Sequence, residues 1–304
     1  MNPSSIPNQE VVLPELMEKQ IRLFIKREDA IHPFVSGNKY RKLKYNLQEA
    51  IKKEFDTLLT FGGAFSNHIA ATAFAGKEAG LKTIGVIRGE ELKNSWKENP
   101  TLKLADEHGM RLHFVSRESY REKGSPDFVS GLKETFGSFY LIPEGGTNTL
   151  AVKGCEEILA ESDKHFDFIC CCVGTGGTLA GLINASHSYQ TVLGFPALKG
   201  DFLKEDIYTF VQKDNWKLIT DYHFGGYAKI NKDLVDFINQ FKLKTGIPLD
   251  PIYTGKMMFG ILDLVKKDFF KSGSQILAIH SGGLQGILGM NLVLKQKNLP
   301  ELDI

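Results

Sequence analysis

Phe168-Ile169-Cys170-Cys171-Cys172-Val173-Gly174-Thr175-Gly176-Gly177-Thr178 is the stretch that decides the fold. Its apolar residues run without interruption from Phe168 to Val173, as in a strand buried on both faces, and stop at a glycine cluster. A helix-like segment, Thr178 to Ala185, follows directly. Strand, glycine turn and helix in that order read as part of a βαβ unit. Successive backbone N–H groups in such a turn make a nest for an anion, and the helix N-terminus adds its dipole. Thr175 and Thr178 add hydroxyl donors. The dinucleotide pattern G-x-G-x-x-G fails, because Leu179 stands where the third glycine belongs. No acidic residue ends the next strand, Val192-Leu193-Gly194-Phe195, to take a ribose hydroxyl. The P-loop pattern G-x-x-x-x-G-K-[ST] is also absent. A single phosphate of a small cofactor fits the loop; a plain tight βα turn is the other reading.

The same alternation runs outward in both directions. Thr57 to Phe61, Thr83 to Ile87, Arg111 to Val115, Phe139 to Ile142, Val192 to Phe195 and Ile276 to Ile279 read as strands. Ser66 to Gly80, Thr101 to Glu107, Leu150 to Leu159, Leu234 to Phe241 and Met257 to Phe270 read as helices. The expected fold class is α/β, with parallel sheets covered by helices on both faces. Gly62-Gly63, Gly145-Gly146, Gly174 to Gly177 and Gly282-Gly283 all follow strands. That edge of a parallel sheet is where ligands bind, and paired glycines let backbone approach them closely.

Composition narrows the function classes. The chain has 304 residues, enough for one long or two compact domains, with 42% hydrophobic and 24% charged residues. A net charge of +1 gives no basic excess for nucleic acid or an anionic membrane. No apolar run reaches about 18 residues, so no transmembrane helix is expected. Met1-Asn2-Pro3-Ser4-Ser5 lacks the features of a signal peptide. The cysteines, Cys155, Cys170, Cys171 and Cys172, have no CxxC or zinc-finger spacing, so no metal site is expected. A reducing, cytoplasmic location is the default expectation.

A second stretch bears on chemistry: Val35-Ser36-Gly37-Asn38-Lys39-Tyr40-Arg41-Lys42-Leu43. Tyr40, Leu43, Leu47, Ala50 and Ile51 recur at roughly 3.6-residue spacing, so a helix begins here. Lys39 and Lys42 share one side of its first turn. Cations at a helix N-terminus oppose the dipole, and a bound anion would resolve the conflict. A solvated basic helix face is the alternative.

Lysine after Gly-Asn, a serine-asparagine helix start and the glycine loop together suggest pyridoxal 5′-phosphate. The chain resembles the fold type II (tryptophan synthase β-like) enzymes, in the branch of 1-aminocyclopropane-1-carboxylate (ACC) deaminase and D-cysteine desulfhydrase. The resemblance rests on Lys26-Arg27-Glu28-Asp29, Gly37 to Leu43, Gly62-Gly63-Ala64-Phe65-Ser66-Asn67-His68, Pro143 to Asn148, Asp250-Pro251-Ile252-Tyr253-Thr254-Gly255-Lys256 and His280-Ser281-Gly282-Gly283. The stretch Gly89 to Leu104 departs from the loop many desulfhydrases carry. The resemblance implies two three-layer αβα domains with the cofactor between them. Residues 54–148 would form the smaller domain, and 1–53 with 149–304 the larger; a homodimer is expected.

By the same resemblance, Lys39 matches the Schiff-base lysine, Lys42 a phosphate contact, and Gly174, Thr175, Gly176, Gly177 and Thr178 the phosphate cradle. Asn67 matches the asparagine that bonds the ring 3-oxygen, and Ser66 the serine that meets the substrate carboxylate. Ser66 also reads as an ordinary N-cap, and His68 either lines the pocket or packs. Tyr227 and Tyr253 match two active-site tyrosines, although either alone reads as a packing aromatic. ACC deaminase-type sequences carry a glutamate at the position of Thr254, against the pyridine nitrogen. A carboxylate there deepens the electron sink. Thr254 therefore favours β-elimination: D-cysteine to pyruvate, sulfide and ammonia. ACC deamination is the alternative, as lyase or hydrolase chemistry on a small amino acid. A phosphate-ligand-binding protein or a degenerate regulatory member is the non-enzyme reading.

Overall fold

The structure, a computed structural model, describes residues 6–199 and 203–303; the Met1–Ser5 segment read for a signal peptide lies outside them. Its strands are β1 (Asn8–Val11), β2 (Arg22–Lys26), β3 (Thr57–Gly62), β4 (Lys82–Arg88), β5 (Met110–Val115), β6 (Tyr140–Ile142), β7 (Phe168–Val173), β8 (Thr191–Pro196), β9 (Trp216–Leu218) and β10 (Gln275–Ile279). They form a six-stranded sheet, ordered β1-β2-β10-β7-β8-β9, and a four-stranded sheet, ordered β5-β4-β3-β6. Every pairing is parallel except β1 against β2. β7 sits between β10 and β8, and its residues after Phe168 are all buried, as its unbroken apolar run requires.

Register places the glycine turns. Val173 pairs with Pro196 and Ile279 with Cys171, so the turns after β7 and β10 leave side by side. In the smaller sheet Gly62 pairs with Ile87 and Thr60 with Ile142. The Gly63–Asn67 loop, Arg88 and the Pro143–Gly146 turn therefore emerge at one edge. The divergent segment after Gly89 folds as short turns, Glu90–Asn94 and Trp96–Glu98, before the helix Pro100–Glu107.

The Asn38–Lys52 helix joins the two sheets. Its apolar face, Tyr40, Leu43, Leu47 and Ala50, packs on Leu58 and Ile142 of the smaller sheet and on Ala71 and Ala75 of the helix Asn67–Glu78. Its other side meets the helix Thr149–Glu156 at Gly154, where an added Cβ would lie 2.0 Å from the Arg41 carbonyl oxygen. Arg41 is buried and donates Nε and Nη2 to the fully buried Glu28 carboxylate, both at 2.9 Å. Lys42 is buried as well, so the solvated-face reading of this helix is corrected. The helix starts at Gly37, with φ +62°, where a Cβ would overlap the Ser281 carbonyl at 1.9 Å. Only glycine allows that approach.

One helix ends earlier than its apolar pattern implies. The Met257–Phe270 expectation becomes Thr254–Lys266. Asp268 takes a left-handed φ of 57°, its N–H bonding to Val265 O at 3.1 Å and that of Phe269 to Leu264 O at 3.0 Å. This is a Schellman turn built without glycine. Phe270 is buried beyond the turn, which is why the periodicity runs on. Cys155, Cys170, Cys171 and Cys172 are free and buried, and burial raises the Cys155 thiol to about 11. Among the described residues no helix is long and apolar enough to cross a membrane.

The helix contact at Gly154 is testable. Gly154→Ala is expected to destabilise the protein by about 1–3 kcal/mol through overpacking. Gly131→Ala, exposed in the helix Pro126–Phe136 with nothing within 4 Å of the added Cβ, is expected to stabilise by about 0.5–1 kcal/mol. Urea midpoints that shift the same way for both variants would remove the packing explanation.

Candidate active site

The turns at the carboxyl edges of both sheets enclose a continuous cavity. Its inner part is lined by Asn38, Lys39, Lys42, Asn67, Gly145, Cys172 to Gly176, Thr178, Leu179, Tyr253 and Ser281. Its outer part, about 550 Å³, shares Lys39, Asn67, Gly145, Gly174, Thr175 and Tyr253 and adds Ser66, His68, Arg88 and Tyr227. Lys39 stands where the two parts meet. Of the residues singled out in the sequence, all but Gly177 and Thr254 line one part or both. Gly177 adjoins the inner part, since a Cβ on it would sit 3.3 Å from Lys42 Nζ.

The inner lining has no carboxylate. Lys39 is partly exposed, to the cavity it lines; desolvation by the walls, then the charge of Lys42, pushes its pKa down to about 7. Burial lowers Lys42 too. Lys42 Nζ donates to Gly145 O at 3.0 Å, Thr147 Oγ1 at 2.9 Å and Thr175 Oγ1 at 3.4 Å. These neutral acceptors leave its charge uncompensated. The glycine turn lies beside it, with Gly176 in the left-handed region at φ +82° before the helix Gly177–Ala185. Asn38 Nδ2 donates to Thr178 Oγ1 at 2.8 Å, tying the lysine-bearing helix to that turn.

The Gly63–Asn67 loop closes the opposite side. Ser66 caps the helix Asn67–Glu78, its Oγ accepting from Ile69 N at 3.3 Å, and its own hydroxyl proton stays available. Gln285 Nε2 donates to Asn67 Oδ1 at 3.0 Å, which turns the Asn67 amide so that Nδ2 is its donor end. His68 is buried, and the Thr60 hydroxyl contacts its Nε2 at 2.8 Å while donating to Ile142 O at 2.9 Å. Nε2 therefore carries the ring proton, and Nδ1 is left buried without a partner. Burial and the charges of Lys39 and Lys42 keep this imidazole neutral.

The two tyrosines meet edge to face, ring centroids 6.2 Å apart at 65°. Burial raises both phenols, Tyr253 well above its usual value, so both keep their protons. Lys256 Nζ donates to His223 O at 2.9 Å and Gly226 O at 2.8 Å, pinning the loop that presents Tyr227. Thr254 is placed differently from the sequence expectation. It is fully buried, outside the cavity lining, and donates its hydroxyl to Asp250 Oδ2 at 2.6 Å. Asp250 also accepts from the backbone N–H groups of Ile252, Tyr253 and Thr254. Ser281, its Oγ 3.0 Å from Cys172 Sγ, lines the inner cavity together with Thr175, Thr178 and Tyr253. Asn38, Lys256 and Ser281 lie within the stretches that carry the resemblance but were not read as site residues, because their contacts run across the chain; Gln285 lies outside those stretches.

A family model of pyridoxal-phosphate dependent enzymes matches residues 9–282. The chain belongs to that family. It is 33% identical over 295 residues to the mitochondrial bifunctional D-cysteine desulfhydrase/ACC deaminase of Arabidopsis thaliana, covering 87% of this chain and 73% of that protein. It is 27% identical to a Klebsiella pneumoniae D-cysteine desulfhydrase over 89% of this chain and 90% of that one. A crystal structure of an ACC deaminase homologue superposes with a TM-score of 0.79 at 30% identity, covering 93% and 91% of the two chains. The two sheets with their covering helices are the fold type II architecture.

Pyridoxal phosphate fits the donor set on physical grounds. Uncompensated Lys42 and a turn without obstructing side chains suit a phosphate, and an amine with a pKa near 7 suits an aldehyde. Only the deprotonated amine attacks. The rate at which cofactor-free protein takes up pyridoxal phosphate is therefore expected to rise with pH, with a midpoint near 7. A midpoint near the ordinary lysine value, or borohydride reduction that still fixes the cofactor to Lys39→Ala, would assign the anchoring amine elsewhere.

Proposed function

We propose that this protein is a pyridoxal-phosphate-dependent lyase that eliminates the β-substituent of a small amino acid, as in D-cysteine to pyruvate, sulfide and ammonia. The observation that carries the reading is the absence of a carboxylate from the inner cavity among the described residues. When bound, the cofactor supplies an electron sink for the pair released at Cα. A partner carboxylate at its ring nitrogen would deepen that sink. Here Ser281 lines the inner cavity, and Asp250, outside that lining, is already held by backbone N–H groups and Thr254. A shallower sink suits a substrate whose leaving group departs readily, and thiolate is one.

The chain's own groups then have defined tasks. Lys42 and the Gly174–Thr178 turn hold the phosphate, and the Asn67 amide donates to the ring oxygen. Ser66 and the free N–H groups of its helix hold the substrate carboxylate. Lys39 Nζ, whose neutral fraction is already large near pH 7, takes the α-proton. Tyr253 and Tyr227, kept protonated by burial, offer a proton to the departing sulfur. Residues 54–148 act as the smaller unit and 1–53 with 149–304 as the larger, with the site between them. This division follows the split of β3 to β6 from the other strands. A cytoplasmic homodimer is the working form we assign.

Incubation of the purified protein with D-cysteine, L-cysteine and ACC, with pyruvate, sulfide and 2-oxobutanoate assayed together, tests the reading. Pyruvate and sulfide from cysteine are expected. Production of 2-oxobutanoate from ACC, with no pyruvate from either cysteine, would favour the deaminase alternative. Tyr253→Phe is expected to lower kcat by about 10²–10⁴ while the visible absorbance of the bound cofactor persists. Unchanged turnover in that variant would remove the phenol from the mechanism.

A further inference from the structure

The outer cavity carries more charge and more room than cysteine needs. Its charged side chains besides Lys39 are Arg88, Arg117 and Glu144. Two of these three have partners. Arg117 donates Nε and Nη2 to Glu91 Oε1 at 3.1 and 2.7 Å. Glu144 accepts from the Tyr120 hydroxyl at 2.8 Å and pairs with Lys123 at 3.3 Å. Arg88 forms no ion pair or side-chain hydrogen bond among the described residues. Its guanidinium lies 5.8 Å from the Tyr120 ring centroid, a contact that leaves its N–H donors unused.

Position makes this arginine more than a surface cation. It ends β4 at the cavity edge, beside the end of β3. A Cβ on Gly63 would sit 3.7 Å from Arg88 Nη2, and Gly63 opens the loop that leads to Ser66 and Asn67. On its other side its charge draws the Tyr227 phenol down against the effect of burial. Arg88 thus shares the lining of one cavity of about 550 Å³ with the loop assigned to the substrate carboxylate and with the tyrosine pair.

We propose that Arg88 reads an anionic group at the far end of the substrate's β-substituent. The preferred substrates are then amino acids whose leaving group bears an acid, a carboxylate or a phosphoryl group. The inference rests on the lyase reading above and names its substrate class. In the step, the Cα–H bond breaks and its proton passes to Lys39. The electron pair forms the Cα–Cβ double bond, and the Cβ–substituent bond breaks with its pair leaving on the substituent. The unsaturated amine left behind takes up water to give pyruvate and ammonia, with no oxidant or reductant. Arg88 faces the charge of the departing group through a charge-assisted contact.

The test uses the cofactor-loaded full chain, wild type and the variants Arg88→Gln, Arg88→Lys and Arg117→Gln. Neutral-ended β-chloroalanine and cysteine are set against O-phosphoserine and S-carboxymethylcysteine, each as both stereoisomers. Two readouts are taken: kcat/KM for pyruvate, and the concentration of each amino acid that half-saturates the change in cofactor absorbance. Wild type is expected to favour the anionic set by about tenfold or more. Arg88→Gln loses that ratio, Arg88→Lys keeps part of it as a point charge, and Arg117→Gln keeps it. An equal loss on all four substrates would assign Arg88 to the α-carboxylate and overturn the proposal, as would an unchanged ratio in Arg88→Gln. If no amino acid yields pyruvate, the lyase reading fails. The absorbance titration then still decides Arg88: anion preference lost in Arg88→Gln supports its role, and absence of preference overturns it.

Discussion

Two lysine amines share a cavity whose inner wall contains no carboxylate. Enclosing charge without a counter-charge is costly, and a protein relieves that cost by shifting pKa or by binding an anion. Both outcomes are built in here. Lys39 is driven towards its neutral form, and Lys42 is held by uncharged oxygens beside a turn of backbone N–H groups. The helix that carries them can begin only at a glycine pressed on the Ser281 carbonyl, and it can pack only against a helix that offers Gly154. One short segment thereby touches both sheets, and its placement sets the cavity between them.

The Asp250–Thr254 pair bears on which reaction the proposed site would favour. Asp250 is the acid nearest in sequence to Tyr253, yet its oxygens are taken by successive backbone N–H groups and by the Thr254 hydroxyl. It serves to start the Thr254–Lys266 helix and to aim Tyr253, rather than to face a ring nitrogen. Ser281 lines the inner cavity. On the proposed reading the oxygens that line the cavity tune the chemistry, and the first turn of one helix takes Asp250 out of that lining.

Local patterns carried most of the fold. The apolar run of β7 and the glycines after it name a buried parallel strand and its ligand edge, because strand burial and turn geometry are written in consecutive residues. The short β9, three residues long, and the edge strand β1 have no such run to announce them. The helix stop at Asp268 was hidden because a non-glycine residue takes the left-handed position there. Within the site, the residue types of the motifs were legible, and the contacts made across the chain were not, even for a residue such as Lys256 inside a motif. Asn67 is oriented by Gln285, 218 positions away, and the Tyr227 loop by Lys256, about 30 positions on. Thr254 was placed by its match to the glutamate position of ACC deaminase-type sequences, and that match carries no sign of its bond to Asp250.

The buried cysteines have a consequence for a site proposed to liberate sulfide. Sulfide is oxidised by air to polysulfides, and a protein thiolate attacks their S–S bond, displacing a shorter polysulfide and leaving a persulfide on the cysteine. Reactivity of that kind follows thiolate character and access. All four thiols of this chain are buried, and three of them lie on the central strand of the six-stranded sheet. Burial holds Cys155 at about 11 and raises Cys170 as well. Under that proposal Cys155, Cys170 and Cys171 are kept from the product's redox chemistry, while Cys172, which lines the inner cavity, is the thiol left within its reach.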